Sequence, residues 1–193
     1  MQDLERRVAV TTVEYRAGDD DNGPEIVGEA AVFNQWSGDL GGFKERIAPE
    51  AFKDVLKRSD TRALFNHDSN MLLGRQSAGT LELTETKSAL EFRVKLGNTT
   101  VANDVKEHID RGDIQGNSFS FRVEADEWDK IDSDLPERTI TKVGDLIDVG
   151  PVTFPAYEAT TVSTRSLDEA RKEAEPPDLS EQEYRQRMAE LTV

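Results

Sequence analysis

Asn117-Ser118-Phe119-Ser120-Phe121-Arg122-Val123-Glu124 alternates between polar and apolar side chains. Successive side chains of a strand point to opposite faces, so Phe119, Phe121 and Val123 share one face and Ser118, Ser120 and Arg122 the other. The stretch predicts a strand with one face in a core, and its neighbours continue the theme. Downstream, residues 139–143 and 146–154 predict two further strands, and Pro151 and Pro155 place the latter at an edge or an end. Upstream, residues 62–65, 80–84 and 89–95 read as strands, with Leu81 and Leu83 on one face and Glu82 pointing away. Residues 100–111 predict a helix with Thr100 as N-cap, Gly112 just past its end, and Val101, Val105, His108 and Ile109 along its apolar side. His108 is expected to pack there.

Farther out, residues 8–15 and 26–33 are β-branched runs around Gly18-Asp19-Asp20-Asp21-Asn22-Gly23-Pro24. That link has the composition of a solvated hairpin loop and lacks the glycine and glutamate positions of an EF-hand. The glycines of Ser37-Gly38-Asp39-Leu40-Gly41-Gly42-Phe43 are not followed by Gly-Lys-Ser/Thr, so nothing supports nucleotide binding. Residues 49–58 predict a short helix with Phe52, Val55 and Leu56 on one face. The class expected is α+β, mainly β.

The chain has 193 residues, 24 Lys+Arg against 39 Asp+Glu, a net charge of −15 and no cysteine. Its mean hydropathy is −0.64 and its pI is near 4.6. That length fits one domain, assigned to residues 1–167, followed by an acidic tail over 168–193. The tail has eight acids against four bases and the pair Pro176-Pro177, a composition that cannot build a core. Within it, Ser180 and Glu183 match a capping box, Leu179 and Tyr184 a hydrophobic staple, and Tyr184, Met188 and Leu191 a narrow helical stripe. A helix this short needs something to dock on. The acidic balance argues against nucleic acid as a partner, because phosphate neutralisation needs clustered Lys/Arg. No apolar run is long enough to span a membrane, and the charged start indicates no export, so a soluble cytoplasmic protein is expected. Without cysteine there is no disulfide, thiolate metal site or cysteine nucleophile, and no HExxH spacing occurs, so neither a metal nor a cofactor is expected.

His67 and His108 are the two histidines, hence the two candidate bases near neutral pH. His67 ends Ala63-Leu64-Phe65-Asn66-His67-Asp68, an apolar strand running into polar residues. It fits both a rigidly presented base and a surface turn. Ser118 and Ser120 are candidate nucleophiles, or a polar strand face meeting solvent; no GxSxG elbow decides between these. Asp148, amid Leu146-Ile147-Asp148-Val149-Gly150, is either a buried acid with a partner or a solvated strand residue.

Taken in order, several motifs carry a family resemblance. They are Gly28-Glu29-Ala30-Ala31-Val32-Phe33-Asn34, Phe43-Lys44-Glu45-Arg46-Ile47-Ala48-Pro49-Glu50-Ala51-Phe52, Leu64-Phe65-Asn66-His67-Asp68, Leu73-Gly74-Arg75, Gly79-Thr80-Leu81, Gly112-Asp113-Ile114, Ser118-Phe119-Ser120-Phe121 and Asp148-Val149-Gly150-Pro151-Val152-Thr153-Phe154-Pro155-Ala156-Tyr157. The set, spanning residues 8–167, resembles the prohead (capsid maturation) serine proteases of tailed bacteriophages. The resemblance implies an assemblin-like β-barrel core with a few surrounding helices, as in herpesvirus assemblins. It implies a triad of His67, Ser118 and Asp148, where the family often has Glu in place of Asp148 and serine in place of Gly150. It further implies an endopeptidase that cleaves the scaffolding segment of the major capsid protein, and itself, inside the immature procapsid in the host cytoplasm. A homodimer is suggested by the assemblins but by no motif here. The rival expectation is an inactive assembly module of the same fold. The tail is expected to serve as a packaging handle or a self-cleaved piece.

Overall fold

The computed structural model describes residues 3–9, 13–18, 23–154 and 161–174. In chain order the strands are β1 (Glu5–Ala9), β2 (Val13–Arg16), β3 (Glu25–Val32), β4 (Lys44–Ile47), β5 (Arg62–Leu64), β6 (Leu72–Arg75), β7 (Leu81–Glu85), β8 (Ala89–Lys95), β9 (Gly116–Asp129) and β10 (Glu137–Val152). Helix α1 (Thr100–Asp110) separates β8 from β9, and α2 (Thr161–Ala174) follows β10. The mainly β, α+β class is as expected.

A six-stranded sheet has the order β1-β9-β10-β5-β6, with β4 also on β10; β2-β3-β8-β7 form a second sheet. A single bridge, Phe33 to Ile47, joins the end of β3 to β4. Among the described residues neither sheet closes on itself, so the barrel implied by the resemblance appears as two open sheets sharing a core. That core gathers both sheets and α1. Phe119 and Phe121 stack at 4.8 Å, and Phe52 meets Phe119 edge-on at 6.0 Å. Val105, Ile109, Phe92 and Val94 complete it.

β9 and β10 form the antiparallel spine. The two strands expected over 139–143 and 146–154 are one long strand, β10, bent by register shifts between Ile140 and Asp148. Such irregularities let a strand pass Gly144-Asp145 without a turn. Of the edge or end expected at Pro151 the end is observed, one residue before β10 stops at Val152, whereas β10 is interior: β4 pairs with its first half and β5 with Asp148 and Val149, both parallel. Pro151 is tolerated because β5 has ended by then.

Other departures have local causes. The run expected as one strand over 8–15 crosses between sheets, β1 pairing β9 and β2 pairing β3. The β2–β3 hairpin matches expectation, although its tip, residues 19–22, lies outside the described residues. In place of a helix over 49–58 there are turns and one 3-10 turn, Val55–Lys57. Glu50 has φ 67, and the Ala51 carbonyl accepts from the Val143 N–H at 2.9 Å, so it is taken by β10. Strands β4 and β6 were not foreseen. The N-cap of α1 is Thr99, whose Oγ1 accepts from the Ala102 N–H at 3.1 Å, one residue earlier than expected. His108 does not pack; it is exposed, with Nδ1 3.2 Å from Asp113 Oδ2. Helix α2 continues through position 168, with Leu167 packed on Leu40 and Phe43. The capping-box helix of the tail lies outside the described residues.

A buried ion network ties four strands. Arg7 on β1 grips Glu45 on β4 with two bonds, Nε–Oε1 at 2.8 Å and Nη2–Oε2 at 2.9 Å. Arg138 on β10 reaches Glu45 and Glu5 at 2.9 Å and Asp126 on β9 at 2.6 Å. Burial alone would raise the Glu5 pKa, but the attraction of Arg138 and Arg7 outweighs it and holds the carboxyl below its ordinary value of 4.5. A depressed carboxylate stabilises the fold above its unfolded pKa and loses that contribution as pH falls towards the folded one. Stability in urea should therefore fall as pH drops below about 4.5, with part of that slope absent in Glu5→Gln. The variant should also lose about 3 kcal/mol at pH 7, since removing one member strands buried charge. Equal acid slopes in both proteins would contradict this.

Candidate active site

His67 lies in the turn after β5, with φ 58, and the preceding Asn66 has φ 54. Asparagine and histidine enter this left-handed region more readily than most non-glycine residues. The turn closes through Asp68 N–H to Phe65 O at 3.1 Å and Phe65 N–H to Met71 O at 3.1 Å. Ser118 sits on β9 and Asp148 on β10. Their registers place Asp148 opposite Ser120, and Gly150 opposite Ser118.

The structure brings the three candidate side chains together. His67 Nδ1 is 2.5 Å from Asp148 Oδ1, and His67 Nε2 is 2.7 Å from Ser118 Oγ. An ionised carboxylate only accepts, so Nδ1 carries the proton and the Nε2 lone pair faces the hydroxyl. Ser120 Oγ lies 3.1 Å from Nδ1, on the carboxylate side of the ring. Residue pattern alone left the two serines open and the resemblance implied Ser118; in the structure Ser118 faces the free lone pair, and Ser120 flanks the bonded nitrogen. At Ser118 and Ser120 the polar face of β9 does not meet solvent. Ser118 is 1% exposed, and the His67 and Asp148 side chains are 11% and 6% exposed.

Two features were missed in the sequence. The Arg7 carbonyl of β1 accepts from Ser118 Oγ at 2.9 Å, so it competes with His67 for the single hydroxyl proton. Such a backbone contact leaves no trace in residue type. The second is Gly150, where β5 passes so close that a Cβ would overlap the Leu64 carbonyl oxygen and lie 3.1 Å from its carbon. A side chain at this position would push the end of β5, which leads into the turn bearing His67, away from β10. The signal for it was present: a lone glycine in a strand often marks a close backbone approach.

Among the described residues, no group of three or more His, Asp or Glu side chains is arranged to hold a metal ion. No helix among them is long and apolar enough to cross a membrane.

A family model described as caudovirus prohead serine protease matches residues 11–173. No curated protein matches the chain. Among solved structures, the capsid assembly protease of bacteriophage T4 aligns at 11% identity with a TM-score of 0.41, covering 78% of this chain and 99% of that one.

Gly150→Ala should destabilise the protein by about 3 kcal/mol, the upper end of ordinary overpacking costs, measured by urea unfolding. A variant as stable as the parent would show that β5 and β10 are not in this contact.

Proposed function

The chain belongs to the caudovirus prohead serine protease family, and from that premise we propose that it is the serine endopeptidase of capsid maturation, working through His67, Ser118 and Asp148. The observation that carries this reading is one imidazole within hydrogen-bond reach of a hydroxyl at one nitrogen and a carboxylate at the other. In the proposed mechanism Ser118 Oγ attacks a peptide carbonyl while His67 Nε2 takes its proton. The tetrahedral intermediate collapses as His67 returns that proton to the leaving amine. Water, deprotonated by His67, then releases the acyl group. Asp148 keeps the ring in the Nδ1–H tautomer and stabilises the imidazolium. Backbone amides near Ser118 are the donors this scheme requires for the oxyanion.

The substrates proposed are the scaffolding segment of the major capsid protein and the chain itself, inside the immature shell. A homodimer and a packaging role for the acidic tail belong to the same proposal.

One observation favours the rival reading, an inert assembly module. Ser118 is almost fully buried, and its hydroxyl donates to the Arg7 carbonyl, so a substrate reaches Oγ only if its surroundings yield. A fluorophosphonate probe separates the two. The enzyme reading predicts covalent labelling of the full chain that disappears in Ser118→Ala and slows by about 10³–10⁴-fold in Asp148→Asn, where the ring loses its tautomer. No labelling in the wild type would leave the inert module, and labelling that survives Ser118→Ala would put the nucleophile elsewhere.

A further inference from the structure

Two consecutive non-glycine residues in the left-handed region, Asn66 and His67, persist only where their surroundings hold them. Here the hold comes from the end of β10. The Asn66 N–H donates to the Pro151 carbonyl at 3.1 Å. The Asn66 side chain uses both ends of its amide on one residue: Nδ2 donates to Thr153 Oγ1 at 3.0 Å, and Oδ1 accepts from the Thr153 N–H at 2.8 Å. Only one orientation of the amide fits, because the flipped group would set donor against donor at the Thr153 N–H. These contacts join the turn bearing His67 to the strand bearing Asp148, five residues past that carboxylate. Asn66 and Thr153 are both exposed, so the pair covers no core.

We propose that Asn66 is a positioning residue for the reaction, acting through Thr153 to hold the His67 imidazole between Ser118 and Asp148. The proposal rests on the serine-protease reading above. Its chemical sense is that general-base catalysis needs the ring in place: a displacement of about 1 Å can cost about 10²-fold in rate. Asn66 touches no reacting atom. It fixes the loop formed by the turn, β5 and the end of β10, and the imidazole closes that loop on Asp148.

The test uses the full-length protein with Asn66→Gly, which keeps the backbone conformation and removes the clamp. Thr153→Val removes one contact, and Thr153→Ser retains the hydroxyl. With a fluorophosphonate probe, Asn66→Gly should lower the maximal inactivation rate about 10–100-fold while changing the probe's binding constant less than about 2-fold. Thr153→Val should lower the rate by a smaller factor at an unchanged melting temperature, and Thr153→Ser should restore it. A second readout needs no activity. The Nδ1–H proton resonance of His67, told apart from that of His108 by a His108→Gln variant, should lose intensity through faster exchange with water in Asn66→Gly, because the ring is held less firmly on Asp148. If Asn66→Gly and Thr153→Val keep both the inactivation rate and the His67 Nδ1–H resonance of the wild type, the clamp has no positioning role. The same holds if the loss appears in probe binding or in melting temperature instead. If the wild type does not label at all while the Nδ1–H resonance still weakens in Asn66→Gly, the protease reading falls and the positioning of His67 stands.

Discussion

The register between β9 and β10 decides whether the three side chains can meet. Side chains alternate along a strand, so a one-residue slip would turn Ser118 or Asp148 to the other face and bring Phe119 or Val149 into the site. The observed pairing sets Asp148 opposite Ser120 and Gly150 opposite Ser118. Both serines and the carboxylate then face the turn that delivers His67. On the reverse face the same register stacks Phe119 on Phe121 and buries Leu146 and Val149. The apolar core and the polar site are thus two sides of one hairpin, and each enforces the other.

The ion network reinforces this register from the far end. Glu45, Arg138, Asp126, Arg7 and Glu5 come from four strands, and their bonds are made together only when all four are in line. Buried ion pairs often contribute little net stability compared with apolar packing, so their worth here is better sought in specifying one alignment. Strand β1 belongs to both ends of the account. The Arg7 side chain joins the network, and its carbonyl rests on the Ser118 hydroxyl.

Much of the fold was legible because it rests on local pattern. The alternation at 117–124, the limits of β8 and the body of α1 follow from periodicity. What escaped was set by distant partners. β4 and β6 are short, four residues each, and carry too few residues for a period. β10 reads as two strands because Gly144-Asp145 looks like a turn, whereas pairing to β9 at Val143 and again at Asp145 carries the strand through. Residues 49–58 have a helical face, but β10 claims the Ala51 carbonyl that a helix would use. At the site, pattern alone left His67, Ser118 and Asp148 open between functional and solvated readings. The ordered set of motifs pointed to them as a group, and burial plus distance then separated Ser118 from Ser120. The Asn66–Thr153 clamp was not legible, since Asn-His-Asp is ordinary turn composition.

One imidazole is held between a hydroxyl and a carboxylate from neighbouring strands. The most direct measurement is the low-field proton spectrum of the full-length protein in cold aqueous buffer. An Nδ1–H resonance well downfield of the amide envelope is expected, retained in Ser118→Ala and His108→Gln and absent in Asp148→Asn. No such resonance in the parent protein, or one that survives Asp148→Asn, would contradict it.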